Sequence, residues 1–176
     1  MIDILEYAQH HNESQIALIF LDAEKAFDNL NWIFMIKVLE KMDFGDAFVK
    51  GIEAIFSVQR AKIIVNEELT DNCKIEKGTR QRCPLSPLLF LLVLEVLNRE
   101  IRADHQIEGV KIKKQIFKLK AFADDLAFFF LQNLLDSIEH LLMKIKEFGQ
   151  VAGFKTNNQK TKILSKHMTQ KQQENF

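Results

Sequence analysis

The feature that most constrains this chain is AFADDLAFFF, residues 121–130, in which two adjacent aspartates interrupt a strongly apolar run. Apolar residues on both sides predict buried strands, and the short link between them leaves no room for a crossover helix, so an antiparallel hairpin is expected. The hairpin places Asp124 and Asp125 at the border of a hydrophobic core, where their like charges repel each other. Two solvated acids in a turn are the ordinary interpretation of such a pair, and a bound divalent cation is the alternative.

A second carboxylate has a similar setting much earlier in the chain. Asp22 ends QIALIFLD, residues 15–22, a continuous apolar run rich in branched and aromatic residues that predicts a buried strand. Its ordinary role is to cap the following segment, a role for which Asp28 competes. If the strands that lead to Asp22 and Asp124 are neighbours in one sheet, their carboxylates converge. Converging aspartates of this kind can hold two Mg²⁺ ions, which lie about 3.5–4 Å apart in nucleotidyl-transfer sites.

The remaining pattern predicts an α+β fold. Helical spacing covers residues 31–42 and 46–56. A strand, or a hairpin, is expected next, with a strand over 61–66 and a polar turn around 67–72. A buried helix then reaches about Ala103, with Ser86 as its cap and Pro87 as its first residue. A further amphipathic helix ends near Gly149 or Gly153, and a turn then leads to a short last strand. This order predicts an antiparallel sheet with helices packed on one face, which resembles the split βαβ, ferredoxin-like arrangement.

Length and composition indicate one domain. The chain has 176 residues, of which 47% are hydrophobic, and we expect residues 1–166 to form the domain and 167–176 to be a polar, disordered tail. Basic and acidic residues both number 24, so net charge gives no sign of a polyanionic partner. Lysines nevertheless gather in two places, at Lys111, Lys113, Lys114, Lys118 and Lys120, and again at Lys155, Lys160, Lys162 and Lys166. Such local clusters are compatible with a nucleic-acid surface and equally with a solvated face.

Cysteine spacing and hydropathy narrow the cellular setting. Cys73 and Cys83 lack the spacing of a zinc site or a disulfide framework and are typical of reduced thiols in an intracellular protein. The longest apolar run, Leu88–Leu94, is far shorter than the roughly 18 residues that indicate a membrane span. We therefore expect an intracellular protein with no membrane partner.

Four segments identify a family resemblance when they are taken in chain order. They are LDAEKAFD (residues 21–28), KGTRQRCPLSP (77–87), FADD (122–125) and GFKTNNQKTK (153–162). Together they closely resemble successive motifs of the reverse transcriptases of non-LTR, LINE-type retrotransposons, over about residues 4–164. FADD alone is weak evidence, whereas four motifs in order are strong. The resemblance implies a polymerase palm with partial fingers elements, which uses RNA template, DNA primer and deoxynucleoside triphosphates and acts in the nucleus.

The resemblance also implies catalytic roles for acids and a lysine. Asp22 and Asp124 would carry two Mg²⁺ (or Mn²⁺) ions, with Asp125 beside them as a weaker or structural ligand. Lys160 matches the lysine that protonates pyrophosphate or steadies the triphosphate, and Lys155 is the alternative. A solvated lysine remains the ordinary interpretation of both positions.

Four further residues match positions that contact the incoming nucleotide. The backbone carbonyl of Ala23 would add a metal ligand. Phe27 would pack under the sugar and exclude a 2′-hydroxyl, although a core phenylalanine is its ordinary role. Arg80 and Gln81 match the loop that touches nucleotide and template, a role that no lone Arg-Gln pair would indicate.

Departures from the family pattern leave the activity open. Arg82 stands where the family has glycine, the residue used where a backbone approaches a ligand or takes a positive φ, and we expect it to weaken the nucleotide site. The chain begins just before the first catalytic motif, which predicts a fragment or decayed copy with little processive synthesis. A catalytically inactive palm that binds nucleic acid is one alternative. A receiver-like phosphoacceptor domain is a remote one, because its acidic pair follows the first strand of a parallel sheet.

Overall fold

A computed structural model describes residues 16–80, 83–122, 125–131 and 134–166. Residues 167–176, expected to form a polar tail, lie outside the described residues, as do Gln81, Arg82 and Asp124.

A four-stranded antiparallel sheet forms the centre of the molecule. Its strands are β1 (Ile16–Leu21), β8 (Leu119–Phe122), β9 (Asp125–Leu131) and β10 (Lys162–Lys166), and their order across the sheet is β10-β1-β9-β8. If these four strands are numbered 1 to 4 in chain order, they lie across the sheet in the order 4-1-3-2. This is the βαββαβ order of a ferredoxin-like sheet. The α+β, ferredoxin-like arrangement expected from the sequence is confirmed.

Helices cover one face of this sheet. They are α1 (Ala26–Asn29), α2 (Trp32–Lys41), α3 (Asp46–Ser57), α4 (Leu85–Ala103) and α5 (Leu134–Ala152). Alternate residues of β1 and β9, such as Ile19 and Phe128, pack against them in the main core. The expected end of α4 at Ala103 is confirmed, and α5 ends at Gly153, whose φ of +79° stops the helix.

The opposite face of the sheet is covered by a hairpin that the sequence pattern did not separate from β8. Its strands are β6 (Val110–Ile112) and β7 (Gln115–Phe117). Val110 packs with Leu18 of β1 and Phe129 of β9 in a smaller cluster. Both faces of β1 and β9 are thus buried, which explains why the sequences of these strands are continuous apolar runs.

The segment between α3 and α4 differs from the strand expected over residues 61–66. It forms two short pairs, β2 (Arg60–Ala61) with β5 (Cys73–Lys74) and β3 (Ile64–Val65) with β4 (Glu68–Leu69). The turn is tighter than expected, because Asn66 and Glu67 both take positive φ and bring Val65 opposite Glu68. The segment is therefore a hairpin, the alternative that the sequence pattern left open beside a single strand, and among the described residues its strands pair only with one another.

The beginning of α4 also corrects the sequence interpretation. The helix begins at Leu85 after Pro84, so Ser86 lies in its first turn and is not its cap. The buried Ser86 hydroxyl instead donates a hydrogen bond to the Arg80 carbonyl at 2.8 Å. Ser86 therefore connects the helix to the loop before it.

Candidate functional site

The ends of β1 and β9 bring two of the sequence-identified acids to one edge of the sheet. Leu21 pairs with Leu126, and this register, continued by one residue, sets Asp22 opposite Asp125. Asp125 also closes the β8–β9 hairpin through its pairing with Phe122. Asp22 lies between the buried residues Leu21 and Ala23, so its side chain is directed to the face opposite the helices. The two remote acidic segments are therefore adjacent in the fold.

A turn over residues 157–161 holds Lys160 beside Asp22. The Asn157 N–H donates to the Asp22 carbonyl at 2.8 Å, and the Asn157 side-chain oxygen accepts from the backbone of Gln159 and Lys160. Lys160 Nζ lies 4.0 Å from Asp22 Oδ2, and its side chain is 71% exposed, so the pair itself is weak. The position of Lys160 is set by the turn, and its ammonium stays free to move towards an anion.

The structure separates Lys160 from the alternative, Lys155. Lys155 lines a cleft of about 620 Å³ beside α1, together with Lys74, Lys77 and Trp32. Asp22, Phe27 and Arg80 do not line this cleft. Of the two lysines, Lys160 is the one that the fold pairs with the acidic edge.

Phe27 lies on α1, directly after the acidic edge. Its ring is half-buried and packs against Phe90 of α4, with the ring centroids 4.8 Å apart. The Phe27 ring therefore has a solid support on the helix side and retains an exposed part. The ring thus packs against the main core without being fully buried, and its role at the sugar stays a prediction.

The loop before α4 is attached to α1 by backbone hydrogen bonds. The Gly78 N–H donates to the Leu30 carbonyl at 2.8 Å, and the Thr79 N–H donates to the Phe27 carbonyl at 2.6 Å. Arg80 follows directly with an exposed side chain, while its carbonyl accepts from Ser86. Thr79, the residue before Arg80, thus attaches the loop to the Phe27 backbone. Gln81 lies outside the described residues.

Cys83 adds a polarised thiol at the base of the same loop. A hydrogen bond from the Leu85 backbone N–H lowers the pKa of the Cys83 thiol, and Ser86 and the Arg80 charge act in the same direction. The thiol is half-exposed. The rate at which a thiol reagent modifies Cys83 can therefore be used to probe the hydrogen bonds of this loop.

Carboxylate oxygens are the ligands that Mg²⁺ prefers, so the donor set of this edge suits the ion. Asp22 supplies one carboxylate and its side chain is 32% exposed, which leaves it accessible to a cation. Asp124 lies outside the described residues, and so does the Asp125 side chain. Among the side chains that are described, no three from His, Cys, Asp and Glu gather closely enough to hold a metal ion.

Several residues that shape this site carried no sequence interpretation. The turn after α5 is expected from the sequence, but the role of Asn157 in it is not, and the adjacent pair Asn157 and Asn158 is the turn signal that could have identified it. Thr79 and Trp32 hold the loop, and Trp32 does so through a hydrogen bond from its indole N–H to the Gly78 carbonyl. These last contacts join residues far apart in sequence, so no local pattern indicates them.

No helix within the described ranges has both the length and the apolar content needed to cross a bilayer.

Comparison with known protein families gives a match over nearly the whole chain. The model of the reverse transcriptase (RNA-dependent DNA polymerase) family matches residues 2–176. The Transposon TX1 uncharacterized 149 kDa protein of Xenopus laevis is 31% identical over 125 residues, which cover 70% of this chain and 9% of that protein. The retrovirus-related Pol polyprotein from type-2 retrotransposable element R2DM of Drosophila melanogaster is 26% identical over 160 residues, which cover 91% of this chain and 15% of that protein.

Solved structures show the same fold. Telomerase from Candida tropicalis, solved in complex with a fragment of telomeric RNA, superposes with a TM-score of 0.68 at 16% identity, over 94% of this chain and 29% of the telomerase chain. An apo telomerase from the same organism gives a TM-score of 0.58 at 14% identity, over 96% of this chain and 34% of that one. The chain thus spans only a small part of the proteins it resembles.

Proposed function

The chain belongs to the reverse transcriptase (RNA-dependent DNA polymerase) family, of the non-LTR retrotransposon type, and from this premise we propose that it transfers deoxynucleotides onto a primer 3′-end by two-metal catalysis. The observation that carries the proposal is the β1–β9 register, which sets Asp22 opposite Asp125 and next to Lys160. Three segments that carry candidate residues, far apart in sequence, meet at this single edge.

The residues proposed to hold Mg²⁺ or Mn²⁺ are Asp22, Asp124 and Asp125, with the Ala23 carbonyl as a further ligand. Polymerases of this family generally use divalent metals, and the acidic edge offers the oxygen donors that such ions need. When bound, the ions lower the pKa of the primer hydroxyl and neutralise charge on the triphosphate.

The other residues act on the nucleotide itself. Lys160 lies at the acidic edge with an exposed ammonium, so it can neutralise a terminal phosphate or give a proton to pyrophosphate as it leaves. The exposed part of the Phe27 ring, backed by Phe90, would contact the sugar and leave no room for a 2′-hydroxyl. Arg80 and Gln81 would contact the triphosphate and the template base.

The proposed partners are an RNA template, a DNA primer and deoxynucleoside triphosphates. A telomerase that shares the fold was solved with RNA, which supports an RNA-binding surface for this chain as well. Retrotransposon enzymes act on chromosomal DNA, so we propose a nuclear location.

Primer extension on an RNA template with Mg²⁺ tests the proposal. We expect the wild-type chain to add deoxynucleotides and Asp22→Asn and Asp124→Asn to lower the rate by about 100-fold or more, because each removes a metal ligand. Asp71→Asn, an acid in the exposed segment before α4, serves as the matched control and should leave the rate unchanged. Equal rates for Asp124→Asn and wild type would overturn the assigned site. Duplex binding without any extension would favour the inactive, nucleic-acid-binding alternative.

A further inference from the structure

We propose that Gly78 and Gly153 are positioning residues for sugar selection, because they hold α1 and thereby fix the Phe27 ring. The inference rests on the proposed function and adds to it the elements that set the position of the sugar-contacting ring.

The helix α1 cannot hold itself in place. It consists of one turn, Ala26–Asn29, and a single turn has too few hydrogen bonds to offset the entropy of fixing its residues. It also begins from Lys25 in the left-handed region, with φ +47°, which a non-glycine residue adopts only when its surroundings impose it. The position of Phe27 therefore depends on what contacts α1 from outside.

Two glycines contact the backbone of α1 from neighbouring segments. A Cβ on Gly78 would lie 2.5 Å from the Asp28 carbonyl oxygen, and a Cβ on Gly153 would overlap the Asn29 carbonyl oxygen. Both glycines take positive φ, +82° and +79°, which side chains disfavour. One glycine lies in the loop that carries Arg80, and the other ends α5 shortly before the Lys160 turn. The backbone of α1 is thus held between the two segments that also carry these candidate residues.

Hydrogen bonds complete this attachment. The Thr79 N–H and hydroxyl both donate to the Phe27 carbonyl, at 2.6 and 3.3 Å, and Thr79 is buried. On the other side, the Asn31 N–H donates to the Ala152 carbonyl at 2.9 Å. Because the Phe27 carbonyl is fixed, the ring attached to the same residue can rest on Phe90 in only a narrow range of positions.

A third attachment runs through side chains. Lys77 Nζ donates to the Asn29 side-chain oxygen at 3.0 Å, and the Asn29 amide donates to the Glu24 carbonyl at 3.1 Å. This chain of contacts links the loop to the residues that follow Asp22. A shift of α1 would therefore move Phe27 relative to the acidic edge, and a displacement of about 1 Å is enough to change the reaction of a bound substrate strongly.

The test compares Gly153→Ala with Gly45→Ala in primer extension on an RNA template, with dGTP and GTP as competing nucleotides. Gly45 has a similar φ of +82°, and no atom lies within 4 Å of the position that an alanine Cβ would take there, so its substitution also introduces backbone strain at a positive φ but does not push on α1. We expect Gly153→Ala to lower the ratio of kcat/KM for dGTP over GTP by about tenfold, whereas Gly45→Ala keeps the wild-type ratio.

A milder pair keeps the test valid if Gly153→Ala does not fold. Thr79→Val removes the hydroxyl donor to the Phe27 carbonyl with little change in shape, and Thr79→Ser retains it. The first should lower the dGTP-over-GTP ratio by about threefold, and the second should keep the ratio near its wild-type value, because serine retains the hydroxyl contact.

Trp32 supplies a readout that does not depend on catalysis. It is the chain's one tryptophan, and its indole N–H donates to the Gly78 carbonyl. Gly153→Ala should shift the fluorescence emission of Trp32, and Gly45→Ala should leave that emission unchanged. An emission shift with an unchanged dGTP-over-GTP ratio would overturn the inference while leaving the proposed function intact. Absence of dGTP incorporation by the wild-type chain would instead refute the proposed function, and the inference with it.

Discussion

The central sheet and the segment between α3 and α4 are both rich in branched apolar residues, yet they differ in burial. In β1 and β9, Ala17 and Phe128 are fully buried. In the short strands over residues 60–74, Ile64 is 71% exposed, and Ile63, Val65 and Leu69 are exposed as well. Apolar composition therefore does not decide which segment joins the core.

Pairing across long sequence distances accounts for the difference. β1 lies between β10 and β9, so helices and the β6–β7 hairpin can cover both of its faces. The strands β3 and β4 pair only with each other among the described residues, and a two-stranded ribbon has no second layer. The sheet supplies the rigid edge for the acids, whereas the exposed segment ends at Lys77 and Gly78, which hold α1.

The largest expected effect comes from truncating one apolar side chain in each region. Phe128→Ala should lower the free energy of unfolding by about 3–5 kcal/mol, because it leaves a cavity between Ile19 and Leu119, its partners on the two neighbouring strands. Ile64→Ala should change it by less than about 0.5 kcal/mol, because the side chain is already in solvent. Urea unfolding followed by circular dichroism measures both.

Equal losses in the free energy of unfolding for Phe128→Ala and Ile64→Ala would contradict the difference in burial between the two regions. They would show that the Ile64 side chain is covered in solution by a part of the chain outside the described residues or by a second molecule.

The sequence predicted the sheet better than the segment, for a physical reason. The apolar runs that lead to Asp22 and flank Asp125 are buried on both faces. Strands buried on both faces consist almost entirely of apolar residues, so the sequence alone indicates them. Helices α2, α3 and α5 are likewise predicted from their spacing, since each has one buried face, whereas α4 is apolar nearly all round at first and is predicted from its start signal at Ser86 and Pro87. The split of the strand over residues 61–66 was missed, because a polar turn pattern does not reveal how tight the turn is.

The candidate site was predictable only in part. Family motifs named Asp22, Phe27, Arg80 and Lys160, and their roles stay predictions. The contacts of Thr79, Trp32 and Gly153 with α1 and its loop join residues from separate motifs, and a single sequence carries no sign of such pairs.

A smaller effect is expected at Trp32, which connects the two regions. Trp32→Phe keeps a ring against Phe56 but removes the donor to the Gly78 carbonyl, and it should cost about 1–2 kcal/mol in the free energy of unfolding. Ser57→Ala is the matched control, because it removes a side-chain donor to a carbonyl within α3 and should cost under about 0.5 kcal/mol. Amide exchange should also accelerate at Gly78 and Thr79 in Trp32→Phe. Unchanged exchange there would show that the indole contact does not hold the loop.

The smallest effect separates the two cysteines, which lie at different places in the segment between α3 and α4. Cys73 lies in β5 and is exposed, whereas Cys83 is half-exposed at the base of α4. If exposure alone governed reactivity, Cys73 would be alkylated faster. The hydrogen bond from the Leu85 backbone N–H lowers the pKa of Cys83, so more of this thiol is ionised at any pH below its ordinary pKa, and the thiolate is the form that reacts.

We therefore expect iodoacetamide to modify Cys83 several-fold faster than Cys73 near pH 7.5, as measured by mass spectrometry of the digested chain. The advantage should shrink as the pH rises, because the lowered pKa of Cys83 adds thiolate only at pH values below the ordinary range of a thiol, and the greater access of Cys73 then counts for more. A lowered pKa also makes a thiolate intrinsically less nucleophilic, which keeps the expected ratio at about threefold to fivefold. Ser86→Ala should reduce the ratio, since Ser86 contributes to the lowered pKa. Faster alkylation of Cys73 across the whole pH range would mean that access outweighs local hydrogen bonding, even beside the candidate site.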